Sequence, residues 1–393
     1  MVETITILTS MAVLLLVGFI SSMIASKLKI PDILLLILVG MAIGRIQYHG
    51  MPLIEFPSTF LTSISLLALV MIVFHSSSKF KLKQMDTFSF KAIRLTLFVL
   101  ALNMIFLTFT VYFIYNIPMI LCLVFSALVS GTDPSSTLSI IKTRKNKVME
   151  FLSIESLVNT PLVVLLPFVI LNMWGIDFNL LFTRSIEQIS PFIQQIVTGV
   201  GAGVVLGIIS FEIMRKKYSA KYSPIAIVVI ALLTYVLAEE LGGNGVLAVV
   251  VLGLIFGNFH LKERAEIKIF ETVFTDFLQI FVFLLVGLMI KIPLTADFLI
   301  SSMYIFLILM LIRWLAVMLF SAKEKYTLRE KIFMALHAPR GIAVSVVVFS
   351  LILYPYSGMK VVLDLSLAIL LYSIVLAAAL TFFKKFFLGK EVV

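Results

Sequence analysis

Apolar runs of roughly membrane-crossing length, separated by short polar connections, recur from one end of the chain to the other. A helix needs about 20 apolar residues to cross the hydrocarbon core, with a range of about 17–25. By that measure the pattern predicts thirteen spans, at 5–26, 31–47, 59–76, 93–115, 118–141, 151–174, 192–211, 222–240, 244–260, 273–291, 298–320, 331–353 and 361–383. No polar stretch between them is long enough for a separate soluble domain. The first run, Ile5 to Ala25, lacks a basic leader and a small-residue cleavage site, so it is expected to be a retained span. The expected fold is an all-α polytopic membrane protein of about 13 transmembrane helices.

Charge supports this division. Of the 31 Lys and Arg residues, 25 lie in or at the edges of the segments after odd-numbered spans, four in or at the edges of those after even-numbered spans, and two, Arg313 and Arg340, lie well inside spans. Basic residues collect on the cytoplasmic side. The chain is therefore expected in the cell membrane with its N-terminus outside and its C-terminus in the cytoplasm. The net charge of +10 is topological on this reading and calls for no nucleic acid. Composition agrees: 61% of residues are hydrophobic and 13% charged, against about 25% charged in a soluble domain. A single cysteine, Cys122, excludes an internal disulfide, and His49, His75, His260 and His337 have no metal-ligand spacing. No cofactor is implied. Neither a membrane zinc motif nor a nucleophile elbow is present, which argues against an enzyme.

Two spans are interrupted at mid-length beside a charge. Span 5 carries Thr132-Asp133-Pro134 and span 12 carries Ala338-Pro339-Arg340-Gly341. Gly and Pro both weaken helical hydrogen bonding. Broken helices at membrane depth are tolerated only where protein or a water-filled cavity covers them. The two breaks lie seven spans apart, so they have opposite orientation. Six-span units on either side of span 7 would form an inverted repeat with its breaks crossing at mid-membrane, an arrangement that places a transporter's site at the crossing.

Asp133 leads the candidate residues. An intramembrane acid is costly and is read by default as functional; the alternative is a kink whose acid is merely satisfied. Freed carbonyls beside a carboxylate suit a hard monovalent cation, and a proton would compete for the same oxygens. Thr132 could add a ligand. In span 6, Glu155 and Asn159 share one helical face, and Ser156 and Thr160 form the adjacent stripe. These small polar groups are ion ligands or helix–helix glue. Pro161 would free the carbonyl of Leu157. Glu155 and Arg340 are expected to pair as a buried ion pair joining the two halves. Arg313 bonds helix-end carbonyls or lines the cavity. His75, at the end of span 3, is a packing residue or a pH-responsive group near the ion's entry, and His337 has a similar status. Glu239 and Glu240 are expected to be solvated.

On Thr132-Asp133-Pro134, Glu155-Ser156-Leu157-Val158-Asn159 and Pro339-Arg340-Gly341, with supporting stretches at Pro31 to Gly44 and Gly242 to Gly253, the chain resembles the NhaP-type sodium/proton antiporters of the monovalent cation/proton antiporter superfamily. The resemblance implies a homodimer in the lipid bilayer that exchanges Na+ or K+ for protons. It implies scaffold and dimerisation parts at 1–91 and 222–297, a linker helix at 176–221, and core parts at 92–175 and 298–393 that carry the ion by an elevator-like movement. Asp133 and Ser156 would hold the ion, and Glu155 with Arg340 would form the structural pair. The sequence departs from the family at two places. Thr160 stands where an aspartate is usual, and His75 where related sequences often have a glutamate. Proton coupling would then rest on Asp133, giving one-for-one, electroneutral exchange. The alternative on the same fold is a protein without normal proton coupling: an uncoupled carrier, a channel-like facilitator or a non-transporting regulator.

Overall fold

The computed structural model describes residues 2–28, 30–48, 51–52, 54–79, 87–133, 147–173, 185–216, 222–258, 264–289, 292–321, 326–352 and 354–388. They form fifteen helices: α1 Val2–Leu28, α2 Asp32–Arg45, α3 Ser58–Ser78, α4 Thr87–Tyr115, α5 Met119–Val129, α6 Lys147–Asn172, α7 Ser185–Lys216, α8 Ser223–Glu240, α9 Gly245–Asn258, α10 Arg264–Met289, α11 Ala296–Phe320, α12 Leu328–Leu336, α13 Ile342–Leu351, α14 Met359–Phe382 and α15 Lys384–Leu388. The only strands among the described residues are a two-residue antiparallel ladder, Gln47–Tyr48 against Met51–Pro52.

Among the described residues, nine helices are long and apolar enough to cross a membrane: α1, α3, α4, α6, α7, α8, α10, α11 and α14. The other four expected spans appear as shorter pieces. These are α2, α5, α9 and the interrupted pair α12–α13. Helix length alone therefore does not establish the count of thirteen. The latter part of the fifth expected span, from Pro134 to Ile141, lies outside the described residues, as do His49 and His260. Large apolar side chains such as Leu16 on α1, Phe113 on α4 and Ile300 on α11 are exposed, as helices facing lipid require.

Helix contacts sort into two groups. In one, α2 packs along α10, and α9 packs against α3, α7 and α8. The α2–α10 approach is close because both partners present glycine. A Cβ on Gly40 would overlap the Leu284 carbonyl, and one on Gly287 the Ile37 carbonyl. In lipid, where apolar burial drives little association, such small-residue contacts hold helices together. In the other group α4, α5 and α6 pack mutually, with α11 against α4, α14 against α5 and α12 against α11. The groups meet where α13 lies on α3 and α10 and where α6 touches α3. Ser65 on α3 and Ser350 on α13 bridge that boundary, Oγ to Oγ, at 2.8 Å.

Candidate functional site

Both interruptions have local causes. Helix α5 ends at Val129, where tighter bonds from Ser130 N–H to the Ala127 carbonyl and from Gly131 N–H to the Leu128 carbonyl close the last turn. Helix α12 starts with a capping box, Thr327 with Glu330, and stops at Leu336. Pro339 has no N–H to continue it, and α13 begins anew after Gly341.

The two breaks cross. The backbone N–H of Asp133 donates to the carbonyl of Pro339 at 2.8 Å. The carboxyl group of Asp133 lies so close over Gly341 that a Cβ there would overlap it. Asp133 is half-buried, so the acid sits at the seam where two unwound segments meet.

Two fully buried arginines hold the surrounding helix ends. Arg340 donates from Nε to the Val129 carbonyl at 3.0 Å and from Nη1 to the Ala338 carbonyl. Its charge thus sits where α5 ends and beside the segment that follows α12, and a cation at helix C-termini offsets their partial negative charge. Its own backbone N–H donates to Ser373 Oγ on α14 at 2.9 Å. The expected Glu155–Arg340 pair is not the one that forms. Glu155 is held bidentately by Arg313, with Nη1 to Oε1 at 2.6 Å and Nη2 to Oε2 at 2.9 Å. Arg313 also donates to the carbonyls of Ala335 and Met334 at 3.1 and 3.2 Å. The planar fork of one guanidinium thus joins α6, α11 and the end of α12. Both openings left for Arg313 narrow to the helix-end role, with Glu155 added. Arg340 is committed to carbonyls instead.

The polar face of α6 meets the break in α5. Asn159 Nδ2 donates to the Ser130 carbonyl at 2.9 Å and to Thr132 Oγ1 at 3.2 Å, and Thr132 Oγ1 donates to Glu155 Oε1 at 3.4 Å. Thr160 Oγ1 donates back to the Ser156 carbonyl at 2.9 Å. That bond uses the hydroxyl hydrogen and leaves a lone pair on oxygen. Helix α6 runs unbroken through position 161.

His75 is buried and lies against Glu271 of α10, Nδ1 to Oε1 at 2.9 Å, and Ser78 Oγ donates to the same carboxylate oxygen at 2.8 Å. A carboxylate is thus present beside position 75, supplied by another helix. Asp276 lies farther along α10, within electrostatic reach of His75, Lys79 and Asp32, and Asp32 is in turn within reach of Asp133. Both Asp32 and Asp276 are exposed. The rule that singles out Asp133, an acid inside an apolar span, applies equally to Asp276. His337 is fully buried and stacks on Phe333 at 4.7 Å between ring centres. Glu239 accepts the N–H of Gly245 at 2.8 Å, so it has a structural role at the start of α9.

Comparison with known proteins bears on this geometry. The family model described as sodium/hydrogen exchanger, transmembrane, matches residues 11–387. A probable Na+/H+ antiporter 2 of Methanocaldococcus jannaschii is 26% identical over 348 residues, spanning 83% of this chain and 79% of that one. The K+/H+ antiporter NhaP2 of a Shewanella species is 26% identical over 283 residues, spanning 71% of this chain and 48% of that one. The solved structure of the sodium proton antiporter MjNhaP1 from M. jannaschii at pH 8 superposes with a TM-score of 0.78 at 22% identity, covering 96% of this chain and 100% of that one.

Proposed function

The chain belongs to the transmembrane sodium/hydrogen exchanger family, and from that premise we propose that it exchanges a monovalent cation, Na+ or K+, for protons, with Asp133 as the group the two share. The observation that carries the reading is the seat of Asp133 at the crossing of the two broken spans, bonded through its N–H to Pro339 and pressed on Gly341. A carboxylate there is bordered by unwound backbone, the source of oxygen ligands in transporters of broken-helix design. Thr132, Ser156, Asn159 and Thr160 complete the candidate ion site. Both of the relatives described above are named as cation/proton antiporters, which favours coupled exchange over the uncoupled alternative.

Asp32 and Asp276 support access from the expected cytoplasmic side. Exposed acids on apolar helices do not face lipid; they mark a wet approach that concentrates cations before Asp133. Charge balance supports one-for-one exchange. Two guanidinium groups, Arg313 and Arg340, stand against two carboxylates, Glu155 and Asp133. Loading Asp133 with a cation or with a proton adds the same single positive charge, so both loaded forms cross with equal charge. In this reading the group built on α4–α6 and α11–α14 moves against the other, which also forms the homodimer contact, and His75 with Glu271 borders the inner entrance.

The test is a cation panel on purified protein in liposomes carrying an imposed pH gradient. Na+ or K+ should dissipate the gradient, and at equal rates with or without a membrane potential. Cation flux without proton movement would overturn the reading.

A further inference from the structure

Two buried amide side chains meet at the end of α5, and each has an oxygen with no hydrogen-bond partner among the described residues. Asn103, midway along α4, is 0% exposed, and Asn159 on α6 is 3% exposed. Asn103 Nδ2 donates to Ser130 Oγ at 3.1 Å, and Asn159 Nδ2 donates to the Ser130 carbonyl at 2.9 Å. The nitrogens therefore have partners and converge on one residue from two helices. The oxygens, Asn103 Oδ1 and Asn159 Oδ1, accept no hydrogen bond among the described residues. Helix–helix glue explains the nitrogens. It does not explain two unmet acceptors in a buried setting, where a lone polar atom is expected to have a protein, water or ion partner.

We propose that Asn103 Oδ1 and Asn159 Oδ1 are neutral oxygen ligands of the transported cation, with Asn103 a ligand residue from a helix outside the three motif-bearing spans. The inference rests on the exchange reading above and deepens the same site. An alkali ion entering a dry site must replace its hydration shell with oxygens, and amide or backbone carbonyls do so without fixed charge. Ser130, on which both amides are anchored, is three residues before Asp133, so both amides are tied to the segment that carries the candidate carboxylate. This supplies ligands where Thr160 brings no charge. Neutral ligands bind the cation but take no proton at ordinary pH, so they alter cation affinity while leaving the competing proton to Asp133.

The experiment measures the half-saturating Na+ and K+ concentrations of exchange in proteoliposomes, with calorimetric Na+ titration of the purified protein, for wild type, Asn103→Leu and Asn103→Asp. Size-exclusion profiles check folding, with Asn103→Ser substituting if the leucine variant misfolds. The expected result is a rise of about tenfold in half-saturating cation for Asn103→Leu, a changed Na+/K+ ratio, a maximal rate near wild type, and recovery of affinity in Asn103→Asp, which restores an oxygen. Unchanged cation affinity in Asn103→Leu would overturn the proposal. So would equal loss of maximal rate in both variants without a change in selectivity, which is the outcome for packing alone. If wild type shows no cation-driven proton movement, the exchange reading itself fails, a result distinct from either.

Discussion

Glu155 and Arg313 are each about 1% exposed, and neither charge would be tolerable there without the other. Removing one partner of a buried ion pair costs about 3–5 kcal/mol because the survivor stays desolvated. Arg313→Met should therefore lower the thermal unfolding temperature of the purified protein sharply, and the double variant Arg313→Met with Glu155→Gln should recover much of the loss. If the double variant is as unstable as the single one, the pair is not the source. That two intramembrane arginines needed partners was legible in the sequence. Which arginine takes Glu155 was not, because helical spacing says nothing about which of two distant helices packs beside α6. Thr160 is a second residue-scale test. A carboxylate at that position would add a full charge near the candidate site, and each tenfold in affinity is about 1.4 kcal/mol. Thr160→Asp should lower the half-saturating cation concentration of exchange at least about tenfold; no change would mean position 160 does not face the ion.

At the scale of helices, the interruptions were readable because glycine, proline and an acid inside an apolar run have few structural explanations. The break expected in span 12 occurs between α12 and α13, and α5 stops at Val129, ahead of Asp133. Their contact was readable only as an inference from the odd spacing of the two spans, and the Asp133–Pro339 bond gives it a location. Asn103 and Asp276 were equally visible as polar residues in apolar spans, but a single polar residue without a nearby break carries a weaker local signal. Gly341 is where the two elements touch. Gly341→Ala should displace the Asp133 carboxyl group and abolish or severely reduce cation-driven proton flux in a protein that still inserts and purifies. Flux at the wild-type rate would show that the close approach is not needed for exchange.

For the whole molecule, the basic residues on alternate loops and the run of apolar segments were enough for the fold class, while the grouping of helices required coordinates. That grouping makes movement testable at Ser65 and Ser350, whose hydroxyls meet at 2.8 Å across the boundary between the two groups. With Cys122, the single native cysteine, replaced by Ser, the pair Ser65→Cys and Ser350→Cys should cross-link on oxidation, stop exchange, and release it on reduction. Normal exchange by the cross-linked protein would exclude sliding of α13 past α3. The central claim, that one carboxylate serves both cation and proton, is tested most directly by recording isotope cation flux and proton flux together on reconstituted Asp133→Asn. The account predicts that both fluxes vanish together in a folded protein; coupled exchange persisting in that variant would contradict it.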